Sequence, residues 1–242
     1  MRPRIAIPVP HSGDPEYAGR AMPQYEKAIE LAGGEPVCIP LDASANDVKK
    51  LVQKCAGVLL PGSRADVDPA IYGEERNPNT ADADKPRNST DEILLDDAYE
   101  NGKPVLGICY GLQSLNVYRE GTLLQHIASE VNHEAGRKVP VAHPVCIVAG
   151  SRLADIMNGA RVDATQVPVN SSHHQAADVV GKDLRIVARC PQDGVVEAIE
   201  GTEPDHFVLA VQWHPERSVD NDEPSRAIFR ALVEAARLWQ GR

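Results

Sequence analysis

The chain has 242 residues, 42% of them apolar, and a formal net charge of −10. That excess of acid argues against non-specific binding to nucleic acid or to an anionic membrane surface, and points to a protein that acts on small molecules. Five widely spaced cysteines, with no Cys-x-x-Cys pair, fit a reducing compartment rather than a disulfide framework or a zinc site. The N-terminal MRPRIAIPVP is too short and too broken by proline for a signal peptide, and no run approaches a membrane span. The cytoplasm is the expected location.

Residues 4–10 (RIAIPVP) read as a buried strand, followed by a polar loop and a helix over 21–32 that Gly33-Gly34 stops. A second strand over 35–41, a short helix over 47–55 and a third strand over 57–60 come next, ending in Pro61-Gly62-Ser63. Strands alternating with helices imply βαβ units and a parallel sheet, whose ligands sit beyond the carboxyl ends of the strands. Residues 64–89 are rich in Asp, Pro, Asn and Arg and read as a long loop, a feature usually functional. A helix over 91–100 then feeds the apolar run Pro104-Val105-Leu106-Gly107-Ile108. Further on, strands are expected over 139–148, 184–188, 195–199 and 206–211 without long helices between them. That predicts an antiparallel extension of the sheet and a β-rich flap. An amphipathic helix over 225–238 closes the chain. One domain over 1–242 suits this length.

The stretch PVLGICYGLQ, 104–113, carries the chemistry. A strand ending in Cys109 passes directly into a helix over 110–117, so the sulfur lies at a helix N-terminus, where a thiolate is favoured. Gly107 and Gly111 permit the tight turn. By itself this pattern also fits a buried structural cysteine. A nucleophile needs a base and a group to orient that base. Among eight histidines, His214 stands out: an apolar strand runs into it, and Glu216 follows two residues later, on the same side of an extended chain. Alone, that pair also fits a strand-end histidine beside a surface carboxylate.

Together, GICYGLQSLNV and VQWHPE resemble the class I glutamine amidotransferases. The segments AIELAGGEPVCIP, GVLLPGSRADVDPAIYGEE, GTLLQHI and VNSSHHQA extend the likeness to the stand-alone γ-glutamyl-γ-aminobutyrate hydrolase branch, in order and over most of the chain. The resemblance implies a flavodoxin-like α/β fold, its mostly parallel central sheet flanked by helices, with a β-rich extension in the second half. It implies Cys109 as nucleophile, His214 as proton shuttle and Glu216 as its orienting carboxylate. Backbone N–H groups of Gly62, Ser63 and Tyr110 would form the oxyanion hole, and Gln113, His174 and Gln175 would hold the glutamyl group. No cofactor is implied. His173 and His174 could instead bind a metal, but no ligand cluster at helical or hairpin spacing completes a site, so none is expected.

The implied reaction is hydrolysis of a γ-glutamyl amide through a γ-glutamyl thioester. The alternatives are a glutaminase subunit that passes ammonia to a separate synthase partner, and a non-catalytic binding protein on the same fold. Neither nucleic acid nor membrane is an expected partner, and a homodimer is left open. Three positions depart from the branch. Tyr110 stands where Arg often follows the cysteine, Glu120 where the pattern reads Gly-Gly-Thr-Leu, and Asn88 where Asp commonly follows Arg87. These departures are expected on the leaving-group side of the substrate.

Overall fold

The computed structural model describes residues 1–160 and 166–241. Apolar runs too short for helices form the strands of one nine-stranded sheet. The first four are β1 (Arg4–Pro8), β2 (Glu35–Ile39), β3 (Gly57–Leu60) and β4 (Val105–Ile108). After a two-residue β5 (Leu123–Leu124) come β6 (His143–Ile147), β7 (Val167–Val169), a two-residue β8 (Ala176–Ala177), β9 (Leu184–Arg189), β10 (Val196–Gly201) and β11 (Val208–Val211). The order across the sheet is β2-β1-β3-β4-β11-β10-β9-β6-β7. From β2 to β11 every pairing is parallel, and from β11 to β7 every pairing is antiparallel. The mostly parallel centre and the antiparallel extension are both as expected, and the flap is the small antiparallel ribbon of β5 with β8.

Strands β3, β4 and β11 are buried along their whole length, as parallel strands covered on both faces must be. Helices α1 (Pro15–Leu31), α5 (Arg152–Gly159) and α6 (Glu223–Gln240) cover one face, where Tyr25, Ile29, Leu153, Phe229 and Leu232 pack against the sheet. Helices α2 (Ala45–Val52), α3 (Lys85–Asn101) and α4 (Tyr110–Tyr118) cover the other, with Val52, Leu94, Leu95 and Leu115 in its core. No described helix is long and apolar enough to cross a membrane.

Two helices begin earlier than expected, for one physical reason. Asp14 accepts the Tyr17 N–H and Asp84 accepts the Arg87 N–H, each followed by a proline in the first turn. An acidic N-cap and a first-turn proline together start a helix before its apolar face begins. Helix α3 thus starts at Lys85, and the loop expected over 64–89 is correspondingly shorter. Within it, Pro69–Tyr72 form a short 3-10 turn capped by Asp68.

The β4–α4 turn is pressed hard against β3. A methyl group on Gly111 would lie 2.1 Å from the Leu60 carbonyl oxygen, and one on Gly107 would lie 2.7 Å from the Gly111 carbonyl oxygen. Neither backbone contact can yield without moving a central strand. Gly111→Ala is therefore expected to destabilise the fold by about 3 kcal/mol, at the upper end of overpacking costs. Urea denaturation would measure it, and a loss below about 0.5 kcal/mol, the size of a neutral surface change, would mean that the turn relaxes freely.

Candidate active site

Three adjacent strand ends make the site. Strand β4 lies between β3 and β11, so the segments that leave all three in the same direction emerge side by side. Gly62 follows β3, Cys109 follows β4 and His214 follows β11. The Cys109 N–H donates to the Val211 carbonyl at 2.8 Å, which ties the cysteine to the strand that leads to the histidine.

Cys109 itself has φ 53° and ψ −107°, a left-handed conformation that a residue with a side chain rarely adopts. Such strain is held in place by packing on both sides, here the two glycine contacts above. Cys109 and His214 both border Gly62. A methyl group built on Gly62 would sit 3.0 Å from His214 Cε1 and 3.6 Å from Cys109 Cβ. A side chain here would crowd the imidazole and the Tyr25 hydroxyl.

His214 Nδ1 donates to Glu216 Oε1 at 2.8 Å, and the same oxygen accepts the Tyr25 hydroxyl at 3.2 Å. All three side chains are buried. A pair of side-chain hydrogen bonds from Asn170 fixes the histidine backbone: Asn170 Nδ2 donates to the His214 carbonyl at 2.9 Å, and Asn170 Oδ1 accepts the His214 N–H at 3.0 Å. With Nδ1 committed to a carboxylate, Nε2 carries the lone pair of the neutral ring. It is buried, and among the described residues it has no hydrogen-bond partner. No hydrogen bond joins the Cys109 sulfur to the imidazole among the described residues, as is common in sites without substrate.

Burial sets the protonation states. It pushes the Cys109 thiol up to about 12, against the pull of the Arg217 guanidinium and the Tyr110 N–H. The helix N-terminus therefore does not yield a resting thiolate, because a sulfur with almost no water around it gains more from keeping its proton. Burial also drives His214 below the usual imidazole value, although Glu216 opposes it. Glu216 stays below the usual carboxylate range, because His214 and Arg217 outweigh its own burial. The resting set is a neutral thiol, a neutral imidazole and a carboxylate.

The other expected residues divide. Gln113, His174 and Gln175 all line a cleft of about 230 Å³ that also holds Cys109, Ser63 and Arg64. Gln113 Nε2 donates to the Gln175 carbonyl at 3.2 Å, and Gln175 Oε1 is buried without a partner among the described residues. His174 Nε2 lies 3.1 Å from the Asp66 carboxylate, and this hydrogen bond raises its pKa. Of the three backbone donors, the Gly62 N–H is already spent: it donates to the Tyr25 hydroxyl at 3.0 Å, so it is not free to bind an oxyanion. The Tyr110 N–H faces the Cys109 sulfur. No acceptor for the Ser63 N–H occurs among the described residues.

His173 and His174 part company. His173 turns away from Asp66 and comes within 3.6 Å of Glu197, together with His133 and His143. The expectation that no ligand cluster completes a site beside His173 is corrected here. The four residues come from separate elements, so no local spacing announces them. The three departures from the branch have partners or turns of their own. Tyr110 donates to Asn88 Oδ1, Arg87 is fully buried against Asp91, Pro10 and Pro61, and Glu120 adopts φ 68° at a turn. None of Tyr110, Asn88 and Glu120 lines the cleft that holds Cys109.

Sequence reasoning missed Tyr25, Asn170 as a support for His214, and Arg217. Only Arg217 carried a signal, its place directly after Glu216.

The site thus combines a cysteine in a strained turn between a parallel strand and a helix with a buried histidine–carboxylate pair in the segment that follows the neighbouring strand. The sequence matches the peptidase C26 family over residues 10–216, and the chain belongs to that family of glutamine amidotransferase-like hydrolases. It is 40% identical over 228 residues to "Putative glutamine amidotransferase Rv2859c" of Mycobacterium tuberculosis H37Rv, covering 93% of this chain and 70% of that one. It is 34% identical over 222 residues to the γ-glutamyl-γ-aminobutyrate hydrolase PuuD of Escherichia coli K12, covering 88% of this chain and 84% of the relative. The crystal structure of a putative GMP synthase subunit from Thermoplasma acidophilum superposes with a TM-score of 0.69 at 15% identity, over 100% of this chain and 97% of that one. That likeness establishes the fold.

The buried thiol gives a direct test. Alkylation of Cys109 by iodoacetamide, followed by mass spectrometry, is expected to rise about tenfold per pH unit from pH 7 to pH 10 without a plateau, because the thiolate fraction grows that way well below the pKa. A plateau at or below about pH 8.5, the ordinary cysteine value, would show that the helix terminus outweighs burial.

Proposed function

We propose that the chain hydrolyses γ-glutamyl amides, of γ-aminobutyrate or a related amine, through a γ-glutamyl thioester on Cys109. The observation that carries this reading is the buried His214–Glu216 pair beside Cys109, with the free imidazole lone pair on Nε2. As the sulfur attacks the γ-carbonyl carbon, its proton passes to Nε2, and Glu216 stabilises the imidazolium that forms. The carbonyl π electrons move onto oxygen, which takes hydrogen bonds from the Tyr110 and Ser63 N–H groups. Collapse of this intermediate expels the amine, which receives the proton from the imidazolium. Water then attacks the thioester with His214 as base, glutamate leaves, and the thiol is restored.

A resting pair of neutral groups suits this sequence, because charge appears only when substrate arrives and is met by Glu216. The cleft also carries both signs needed for a glutamyl head. Arg64 and His174 offer donors to an α-carboxylate, while Glu134 and the unpartnered Gln175 Oε1 offer acceptors to an α-ammonium.

Purified chain alone is expected to release glutamate from γ-glutamyl amides, measured by an enzyme-coupled glutamate assay. Cys109→Ala should reduce turnover by a factor of about 10⁴ or more, since its role is chemical. Activity that appears only when a second protein is added would favour an ammonia-donating subunit.

Glu216→Gln is expected to lower kcat by on the order of a hundredfold or more with little change in KM, because the carboxylate acts on the imidazolium of the transition state. Steady-state kinetics would read both constants, and a rise in KM as large as the fall in kcat would remove Glu216 from that role.

A further inference from the structure

On the far side of the 170–175 segment lies a second group of side chains that the reaction does not use. His133 comes from the irregular stretch over 125–142, His143 opens β6, His173 lies between β7 and β8, and Glu197 is on β10. All four are buried, none more than 5% exposed.

Each histidine has its outer nitrogen engaged. His133 Nε2 donates to Asp193 Oδ2 at 2.8 Å, His143 Nδ1 to the Pro144 carbonyl at 3.2 Å, and His173 Nδ1 to the Gln175 carbonyl at 2.9 Å. In neutral rings so fixed, the inner nitrogens hold lone pairs, and all three converge on one carboxylate oxygen. Glu197 Oε1 lies 3.2 Å from His133 Nδ1, 3.5 Å from His143 Nε2 and 3.6 Å from His173 Nε2. None of these atoms has a hydrogen-bond partner among the described residues, and neither does Glu197 Oε2. A cluster of buried acceptors without a proton among them is mutually repulsive and unsolvated.

Two arrangements relieve that repulsion: extra protons or a cation. A charge-assisted N–H···O bond would be linear and about 2.7–2.9 Å long. The observed separations are longer and lack hydrogen-bonding geometry. Ligand bonds of about 2.0–2.1 Å to a tetrahedral zinc ion place the ligand atoms roughly 3.3 Å apart, close to the three separations from Glu197 Oε1, and all four ligand atoms lie within 4.8 Å of one another. The outer hydrogen bonds, one to a carboxylate and two to carbonyls, are those that orient histidine ligands around a metal. Three imidazoles and a carboxylate suit Zn²⁺ and its transition-metal neighbours rather than Ca²⁺ or Mg²⁺, which prefer oxygen. With Glu197 as ligand and Asp193 behind His133, the two carboxylates balance a dication.

We propose that His133, His143, His173 and Glu197 bind one zinc-class divalent ion as a closed, structural site. The ion cross-links the irregular 125–142 stretch, β6 and β10 to the segment that carries Asn170 and Gln175. This holds whether or not the γ-glutamyl reading is right, because its readout is metal content.

Chain purified from zinc-supplemented medium and dialysed without chelator should retain about one zinc equivalent by elemental mass spectrometry, as structural sites do. Cys109→Ala should retain the same amount. Glu197→Gln should retain less than about a tenth of it. A strong chelator should lower the Tm of the wild-type chain, and added Zn²⁺ should restore it. A Co²⁺-substituted wild-type chain should show the visible bands of a tetrahedral site without a sulfur-to-metal charge-transfer band, a measurement that needs no variant to fold. The proposal is overturned if the wild-type chain neither retains nor saturably binds Zn²⁺, which leaves a protonated His–Glu network. It is equally overturned if Glu197→Gln keeps the metal, or if Cys109→Ala loses it or a charge-transfer band appears, since the ion would then sit on a thiol.

Discussion

Parallel pairing of β3, β4 and β11 is the constraint on which the site depends. Parallel neighbours end at the same edge, so whatever follows each strand must share one small volume there. Gly62, Cys109 and His214 are those followers. The space is limited: a methyl group on Gly62 would crowd the imidazole, and one on Gly111 would overlap the Leu60 carbonyl. Close packing thus does two things at once. It forces the left-handed backbone at Cys109, and it holds a histidine from a strand a hundred residues later beside the sulfur.

The same packing sets the electrostatics. A helix N-terminus lowers a thiol pKa only as far as its N–H groups and water can solvate the anion. At Cys109 the water is nearly gone, and the raised thiol together with the lowered imidazole gives a pair that is uncharged at rest. Such a site stores no ion pair to be neutralised by an approaching carbonyl. In the proposed reaction the charge to be stabilised is the one that substrate attack creates, and Glu216, held by Tyr25 and His214, stays below the usual carboxylate range and is ionised beforehand. Tyr25 does this while also taking up the Gly62 N–H, which couples the position of the carboxylate to the turn after β3.

Much of this was legible in the sequence, and what was hidden had a common cause. Apolar runs and turn pairs gave the parallel strands, and a strand that ends in cysteine and enters a helix gave the strained turn at Cys109. Helices start at Pro15 and Lys85, ahead of the apolar faces that reveal them, because the Asp-Pro and Asp-Lys-Pro caps set their first turns. Strand β7 has only three residues, too short for a periodic signal. The departures at Tyr110, Asn88 and Glu120 looked like substrate contacts because they flank the motifs. In space, Tyr110 and Asn88 bond to each other, and Glu120 occupies a left-handed turn that glycine would fill without strain. Side-chain partners far apart in sequence leave no local pattern, so Tyr25, Asn170 and the His133–His143–His173–Glu197 cluster could not be found that way.

The 170–175 segment shows why such hidden partners matter. It has no regular structure of its own, yet four of its residues must hold fixed positions. Asn170 clamps the His214 backbone, His173 points into the buried cluster, His174 pairs with Asp66, and the Gln175 carbonyl accepts from both Gln113 and His173. An irregular stretch keeps such positions only when tethers replace the missing backbone ladder. The His133 carbonyl supplies two, accepting the Ser171 hydroxyl at 2.6 Å and the His173 N–H at 3.0 Å. But His133 lies in an irregular stretch as well, so these bonds join two segments that both lack a backbone ladder. Glu197 on the buried β10 is where the inner nitrogens of both segments converge, so an ion bound there as proposed would anchor both and stiffen the His214 mount.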